Sequence, residues 1–165
     1  MQLSYGLFKE ILMESNKITV AIVDDHKEMR SAIIDYLREL GFDVILEARH
    51  GADMLQQLAA AAELPQICLL DYTMPGMKGD ALAKHMRQRF PSVKLAAMTT
   101  NMTTHCLLAM LGNGCTGYLI KSSNPTEWKK GIEEIISKGF YFTEWMQKTL
   151  LDYIHVNYAA FSKYL

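Results

Sequence analysis

Residues 18–41 read ITVAIVDDHKEMRSAIIDYLRELG, and two periodicities meet inside them. The first six positions, 18–23, form a short β-branched apolar run, which predicts a strand. Met29, Ile33, Ile34, Leu37 and Leu40 then recur at helical spacing, and Gly41 closes the segment, so a helix is predicted there. Asp24, Asp25 and His26 fall at the junction. A strand that is apolar at nearly every position buries both of its faces, as strands do in a parallel sheet covered by helices on either side.

The same unit repeats along the chain. Strands are predicted at 43–47, 67–70, 93–98 and 117–120, and helices at 52–62, 80–90 (stopped by Pro91), 103–111 and from 125 onward. Asn124-Pro125-Thr126-Glu127 opens that last helix with a good N-cap, proline at the first helical position and a glutamate placed for a capping box. Five strands alternating with five helices predict a doubly wound α/β domain with a five-stranded parallel sheet, flavodoxin-like in class. Ligand sites in such domains lie beyond the carboxyl ends of the strands.

Composition narrows the function classes. The chain has 165 residues, 50% hydrophobic and 21% charged, with a formal net charge of −1. That length suits one domain with a short appendage. The charge offers no general attraction for nucleic acid or anionic lipid, and no local basic patch stands out, so DNA binding by these residues is not expected. No apolar run approaches the ~20 residues of a membrane span, and the N-terminus lacks the order of a secretory signal; the cytoplasm is the expected compartment. Cys68, Cys106 and Cys115 are odd in number and lack Cys-x-x-Cys spacing, which predicts reduced, packed thiols with no zinc site or disulfide framework.

The strand ends carry the chemistry. Strand one ends in Asp24-Asp25-His26, strand three in Asp71, strand four in Thr99 and strand five in Lys121. Taken singly, each has an ordinary structural use. An acidic pair suits a helix N-terminus, a lysine after a strand is commonly solvated, and a threonine suits a strand. Brought together, three carboxylates repel unless a cation compensates them. A hard divalent ion such as Mg2+ does so through oxygen ligands while keeping positions for water and phosphate. The set therefore describes phosphoryl transfer to a carboxylate: Asp71 as nucleophile, Mg2+ between it and the incoming phosphate, and Lys121 and Thr99 on the phosphoryl oxygens.

From residue 18 to about 139 the sequence resembles the receiver domains of two-component response regulators. Ile22-Val23-Asp24-Asp25-His26 is similar to the family's acidic pair, with the histidine of the NarL-type branch. Leu69-Leu70-Asp71-Tyr72-Thr73-Met74-Pro75-Gly76-Met77-Lys78-Gly79 resembles the phosphoacceptor loop, Met98-Thr99-Thr100 the switch-hydroxyl segment, and Gly117-Tyr118-Leu119-Ile120-Lys121 the stretch with the switch aromatic and the lysine. Many receivers have proline after that lysine; Ser122 here is a mark of the NarL-type branch. The resemblance implies that Asp25, Asp71 and the Thr73 backbone carbonyl bind Mg2+ directly and Asp24 mainly through water. It implies that Thr99 and Tyr118 form the switch, and that Thr73 and Asn101 flank the phosphoryl group and tune its lifetime. A sensor histidine kinase is the implied donor, and the protein is implied to be a phosphoacceptor, not an enzyme acting on other substrates.

Three segments are expected: an N-terminal extension (1–17), the receiver (18–139) and a C-terminal tail (140–165). A helix is predicted at 144–161, with Trp145, Leu150, Leu151, Ile154 and Tyr158 as its apolar stripe. That stripe could pack on the receiver, form a homodimer contact, or serve as a linker to an output domain. The tail lacks a helix-turn-helix pattern, so the output is either transcription through a DNA-binding domain absent from these residues, or direct protein contact by a stand-alone receiver. A haloacid-dehalogenase-like phosphatase would need an acidic residue two positions after its nucleophile, where Thr73 stands. A nucleotide-binding module would need a glycine-rich turn after strand one, where Asp24 and Asp25 stand instead.

Overall fold

The computed structural model describes residues 17–100 and 102–158. In chain order the elements are β1 (Thr19–Val23), α1 (Lys27–Glu39), β2 (Asp43–Ala48), α2 (Gly51–Ala60), β3 (Ile67–Asp71), α3 (Gly79–Arg89), β4 (Lys94–Thr99), α4 (Thr104–Gly112), β5 (Gly117–Ile120), α5 (Pro125–Lys138) and α6 (Glu144–Val156). The strands pair in parallel in the order β2-β1-β3-β4-β5. This is the five-stranded, doubly wound, flavodoxin-like fold expected from the alternation of periods.

The alternation within each strand divides the core in two. Val20, Ile22, Ile67, Leu69, Ala96, Met98 and Leu119 face one side, where Ile33, Ile34 and Leu37 of α1 and Trp128, Ile132 and Ile135 of α5 cover them. Ala21, Val23, Cys68, Leu70, Leu95 and Ala97 face the other, against Met54 and Leu58 of α2, Leu82 and Met86 of α3, and Leu107 and Met110 of α4. β1, β3, β4 and β5 are thus buried on both faces along most of their length, which is why they read as apolar runs, whereas the edge strand β2 is only partly covered. β1 and β3 are neighbours whose following helices lie on opposite faces, so a crevice opens where their carboxyl ends diverge.

Local signals set the helix ends. Asn124 Oδ1 accepts the Glu127 N–H at 3.0 Å to cap α5, and Thr143 Oγ1 accepts the Met146 N–H to cap α6. α5 stops at Gly139, whose φ of 92° belongs to the left-handed region. The three cysteines are free, with Cys68 and Cys115 buried and their thiols pushed up by burial. Among the described residues no helix is long and apolar enough to cross a membrane.

The C-terminal segment packs onto the domain, with a different inward face from the one its stripe suggested. Trp145 and Leu150 do turn inward, but the anchor is Met146, 1% exposed, while Leu151, Ile154 and Tyr158 lie in solvent. Residues 1–16 and the far end of the predicted 144–161 helix, beyond 158, lie outside the described residues.

Candidate functional site

Asp24 follows β1 directly, Asp71 is the last residue of β3, Thr99 the last of β4, and Lys121 follows β5. The sheet brings their ends together, and Asp24, Asp71 and Thr99 are the buried polar residues of the domain among those described. The Lys121 ammonium reaches Asp24 Oδ2 at 2.6 Å and Asp71 Oδ1 at 3.0 Å. All three side chains are at most 8% exposed. One lysine thereby ties β1, β3 and β5 at the crevice.

The electrostatics follow from that burial. The Asp71 carboxyl is raised above its ordinary value, chiefly because burial penalises its charge; Lys121 opposes the rise, and Asp24 and Asp25 add to it. Burial alone would lower the Lys121 ammonium, but its bonds to Asp24 and Asp71 outweigh that, and its value is raised. Lys121 is therefore a fixed positive charge, and the ionised form of Asp71 is one that the protein stabilises less well than water does.

Asp24 is the most constrained of the group. Its Oδ1 accepts the His26 N–H at 2.9 Å, and its backbone carbonyl accepts from the Arg30 guanidinium at 2.7 Å. Arg30 in turn pairs with Glu47 at 3.1 Å. The Arg30–Glu47 brace was not anticipated from the sequence: an arginine on a helix surface and a glutamate late in a strand carry no local signal that they meet.

Asp25 sits beside this pair. Its Oδ1 is shielded from solvent and has no hydrogen-bond partner among the described residues, with His26 Nδ1 3.6 Å away. Asp24, Asp25 and His26 each offer one ligand atom, all within 4.8 Å of one another. A shielded anionic oxygen without a donor fits a hard cation of the Mg2+ type, since it would otherwise be desolvated without compensation.

The loop after Asp71 is shaped by glycine. Gly79 N donates to the Tyr72 carbonyl at 3.1 Å, and a Cβ on Gly79 would run into the Asp71 carbonyl and lie 2.9 Å from Tyr72 Cα. Gly76 takes a φ of 78°, open to glycine at little cost. Between them these positions let the loop double back, with Thr73 exposed on it.

Thr99 points inward and is 5% exposed, whereas Thr100 is exposed. Tyr118 lies behind Thr99, 2% exposed, in the core on the α2–α4 side. Its hydroxyl is near Thr99 and the Cys106 thiol without a hydrogen bond of good geometry, and burial is the main reason its phenol is pushed up. Asp24, Asp25, Asp71, Thr99 and Lys121 thus lie together at the strand ends, and Tyr118, named from the resemblance, lies behind Thr99. Asn101 lies outside the described residues.

Residues 20–133 match the family model of the response regulator receiver domain. The chemotaxis protein CheY1 of Helicobacter pylori is 31% identical over 117 residues, covering 70% of this chain and 94% of CheY1. NarL of Mycobacterium tuberculosis is 31% identical over 120 residues, which span 72% of this chain but only 55% of NarL. Among solved structures, the signal receiver domain of the M. tuberculosis NarL superposes with a TM-score of 0.67 at 30% identity, covering 73% of this chain and 96% of that one. The isolated receiver domain of RcsB from Salmonella enterica serovar Typhimurium, solved with the phosphomimetic BeF3−, gives 0.69 at 25% identity, over 81% and 99%. Fold, strand-end residues and family match agree: the chain belongs to the receiver domains of response regulators.

Proposed function

We propose that this protein is a phosphorylation-dependent signalling switch that accepts a phosphoryl group on Asp71 from a sensor histidine kinase. The observation that carries the reading is the Lys121 ammonium held between Asp24 and Asp71 at the mouth of the crevice, next to the unsatisfied Asp25 oxygen. In the transfer an Asp71 carboxylate oxygen attacks phosphorus, the bond from phosphorus to the donor imidazole nitrogen breaks, and the imidazole leaves with its electron pair. Lys121 and Thr99 hold the phosphoryl oxygens as charge redistributes. An ammonium has three protons to donate, so Lys121 can take a phosphoryl oxygen while keeping its bond to Asp24.

Asp25, Asp71 and the Thr73 carbonyl would hold Mg2+ directly, with Asp24 acting through water. Bound there, the ion neutralises the carboxylates and the incoming phosphate. Thr73 and Asn101, flanking the phosphoryl group, are assigned to tuning its lifetime. Thr99 and Tyr118 are assigned to the switch: a hydroxyl drawn to the phosphoryl group fixes the space available to the phenol behind it. The receiver is assigned to residues 18–139, preceded by an extension (1–17) and followed by the tail (140–165). Output is by surface contact; a role in transcription would be exercised through residues other than those described.

Incubation of the chain with acetyl phosphate and Mg2+, followed by intact mass measurement, tests the reading. A single phosphoryl adduct is expected, lost in Asp71→Asn and lost when EDTA replaces the ion. An unphosphorylated chain under conditions that label another receiver refutes it.

A further inference from the structure

The side of β5 that carries Tyr118 is covered by the chain's own C-terminal segment. Tyr141 N donates to the Thr116 carbonyl at 2.9 Å, and Tyr141 bridges Gly117 in parallel, so residue 141 extends the edge of the sheet. The close fit at Gly117 and Gly131, where an added Cβ would press on Ile135, Leu119 or Tyr141, shows how tightly this stretch is seated. A few residues later Met146 enters the core group that contains Tyr118, with Phe142, Trp145 and Leu150 packed against it.

Further along, the burial of apolar side chains falls off. Leu151, Ile154 and Val156 are 57%, 40% and 85% exposed. α6 is therefore fastened through its first turns, and a tilt about that end breaks few apolar contacts. Between this end and β5–α5 lies a cavity of about 340 Å³, lined by Tyr118, Ile120, Ser123 and Glu127 on one side and Thr143 and Trp145 on the other. Volumes of this order accommodate small ligands, and so an aromatic ring. Tyr118 is seen turned inward; the cavity is the room available to it turned outward, toward Trp145.

We propose that α6 is the read-out of the switch: Tyr118 turned inward leaves the cavity empty and the first turns of α6 free to close on it, and Tyr118 turned outward fills the cavity and holds Trp145 and the helix end off. The inference rests on the proposed function for the step from Asp71 to Tyr118, but the contact between Tyr118 and α6 stands on the packing alone. It makes α6, not the bare sheet face, the element whose position carries the signal outward.

Hydrogen exchange of the full chain, followed by mass spectrometry with BeF3− and Mg2+ present or absent, reads the seating of α6. Amides at 146–150 are expected to exchange at least threefold more slowly with BeF3−, and the slowing is expected to vanish in Asp71→Asn. A Tyr118→Ala variant, whose fold is checked by circular dichroism, has no ring to enter the cavity, so it is expected to exchange at the same amides as slowly as the parent does with BeF3− and to ignore BeF3−. If acetyl phosphate labels Asp71 but exchange at 146–150 does not change, the inference is overturned and the proposed function survives. If Asp71 takes no label, the proposed function fails, and Tyr118→Ala decides: slower exchange at 146–150 than in the parent supports the coupling, and unchanged or faster exchange overturns it. Should Tyr118→Ala not fold, Tyr118→Leu replaces it with the same expected outcomes.

Discussion

Replacing Lys121 by methionine keeps most of the aliphatic stem and removes the ammonium from between two carboxylates. The nitrogen lies 2.6 Å from Asp24 and 3.0 Å from Asp71, and the side chains involved are 7%, 0% and 8% exposed. Loss of one partner from a buried ion pair costs about 3–5 kcal/mol, because the charge left behind has neither water nor counter-ion. In a chain of this size 1 kcal/mol corresponds to about 2–4 °C, so Tm in EDTA is expected to fall by about 6–20 °C. Asp71→Asn should act in the opposite sense. Burial raises the Asp71 value, so the ionised carboxylate is a cost to the fold at neutral pH, relieved as pH falls through the folded value. The amide removes that cost, and a gain of about 1 kcal/mol is typical of an active-site charge so relieved. With both changes together Asp24 alone lacks a partner, and a coupling of about 1–3 kcal/mol between the two sites is expected. Urea unfolding of the four proteins at pH 7.5, with and without Mg2+, measures all of this, and Mg2+ at a hundred times its Kd should return up to about 2.7 kcal/mol to the Lys121→Met protein. A Lys121→Met protein within 1 kcal/mol of the parent in EDTA, or strictly additive changes, would refute the charge balance described here.

Three further outcomes are expected. Gly79→Ala places a methyl against the Asp71 carbonyl, so it should cost about 2 kcal/mol or more by calorimetry and slow phosphorylation by acetyl phosphate, since the loop must move away from Asp71. Tyr118 ionises above the ordinary tyrosine value because burial disfavours the phenolate; the unfolded chain therefore releases that proton first, and stability should decline as pH rises past about 10. Tyr36, Tyr72 and Tyr141 are raised as well, so absorbance at 295 nm should show several late-titrating tyrosines, of which the latest disappears in Tyr118→Phe; no loss of that component would show that another residue is the most deeply buried phenol. Met146→Ala removes the fully buried anchor of α6 and should cost about 2–3 kcal/mol in urea unfolding, near the low end for buried methionine because the helix end can settle; a cost below 0.5 kcal/mol would mean that α6 is not fastened there.

The legible parts of this molecule are those where one local pattern admits one structure. β3 reads as a strand because its five residues are buried on both faces, and no helix of that length would be. Asp71 and Lys121 are legible as site residues because strand ends converge in any doubly wound sheet, whatever the loops do. What could not be read depends on which surfaces meet. α6 carries apolar residues around much of its circumference, so its sequence admits more than one inward face; the choice of Met146 over Ile154 is made by the core behind Tyr118. Arg30 and Glu47 look like solvated residues until β2 is placed beside β1. The division of Lys121 between two carboxylates is likewise a matter of ångströms, beyond any spacing rule.

The same burial that makes Asp71 costly also suits it to its proposed chemistry. A carboxylate fully solvated or fully paired is a weak nucleophile, and one buried without a cation is protonated and is no nucleophile at all. Asp71 lies between these limits: burial raises its value while Lys121, 3.0 Å away, pulls it back. Asp24 sets the balance, because its shorter contact with Lys121, together with the Arg30 bond to its backbone, keeps the ammonium in place without committing it wholly to Asp71. When a carboxylate oxygen of Asp71 takes up the phosphoryl group as proposed, the negative charge beside Lys121 would increase and move outward, toward the end of β4 where Thr99 lies in front of Tyr118. The direction of the proposed signal would thus follow from the order of the sheet, since the strand beyond Asp71 ends in Thr99 and the next carries Tyr118 and leads into Lys121.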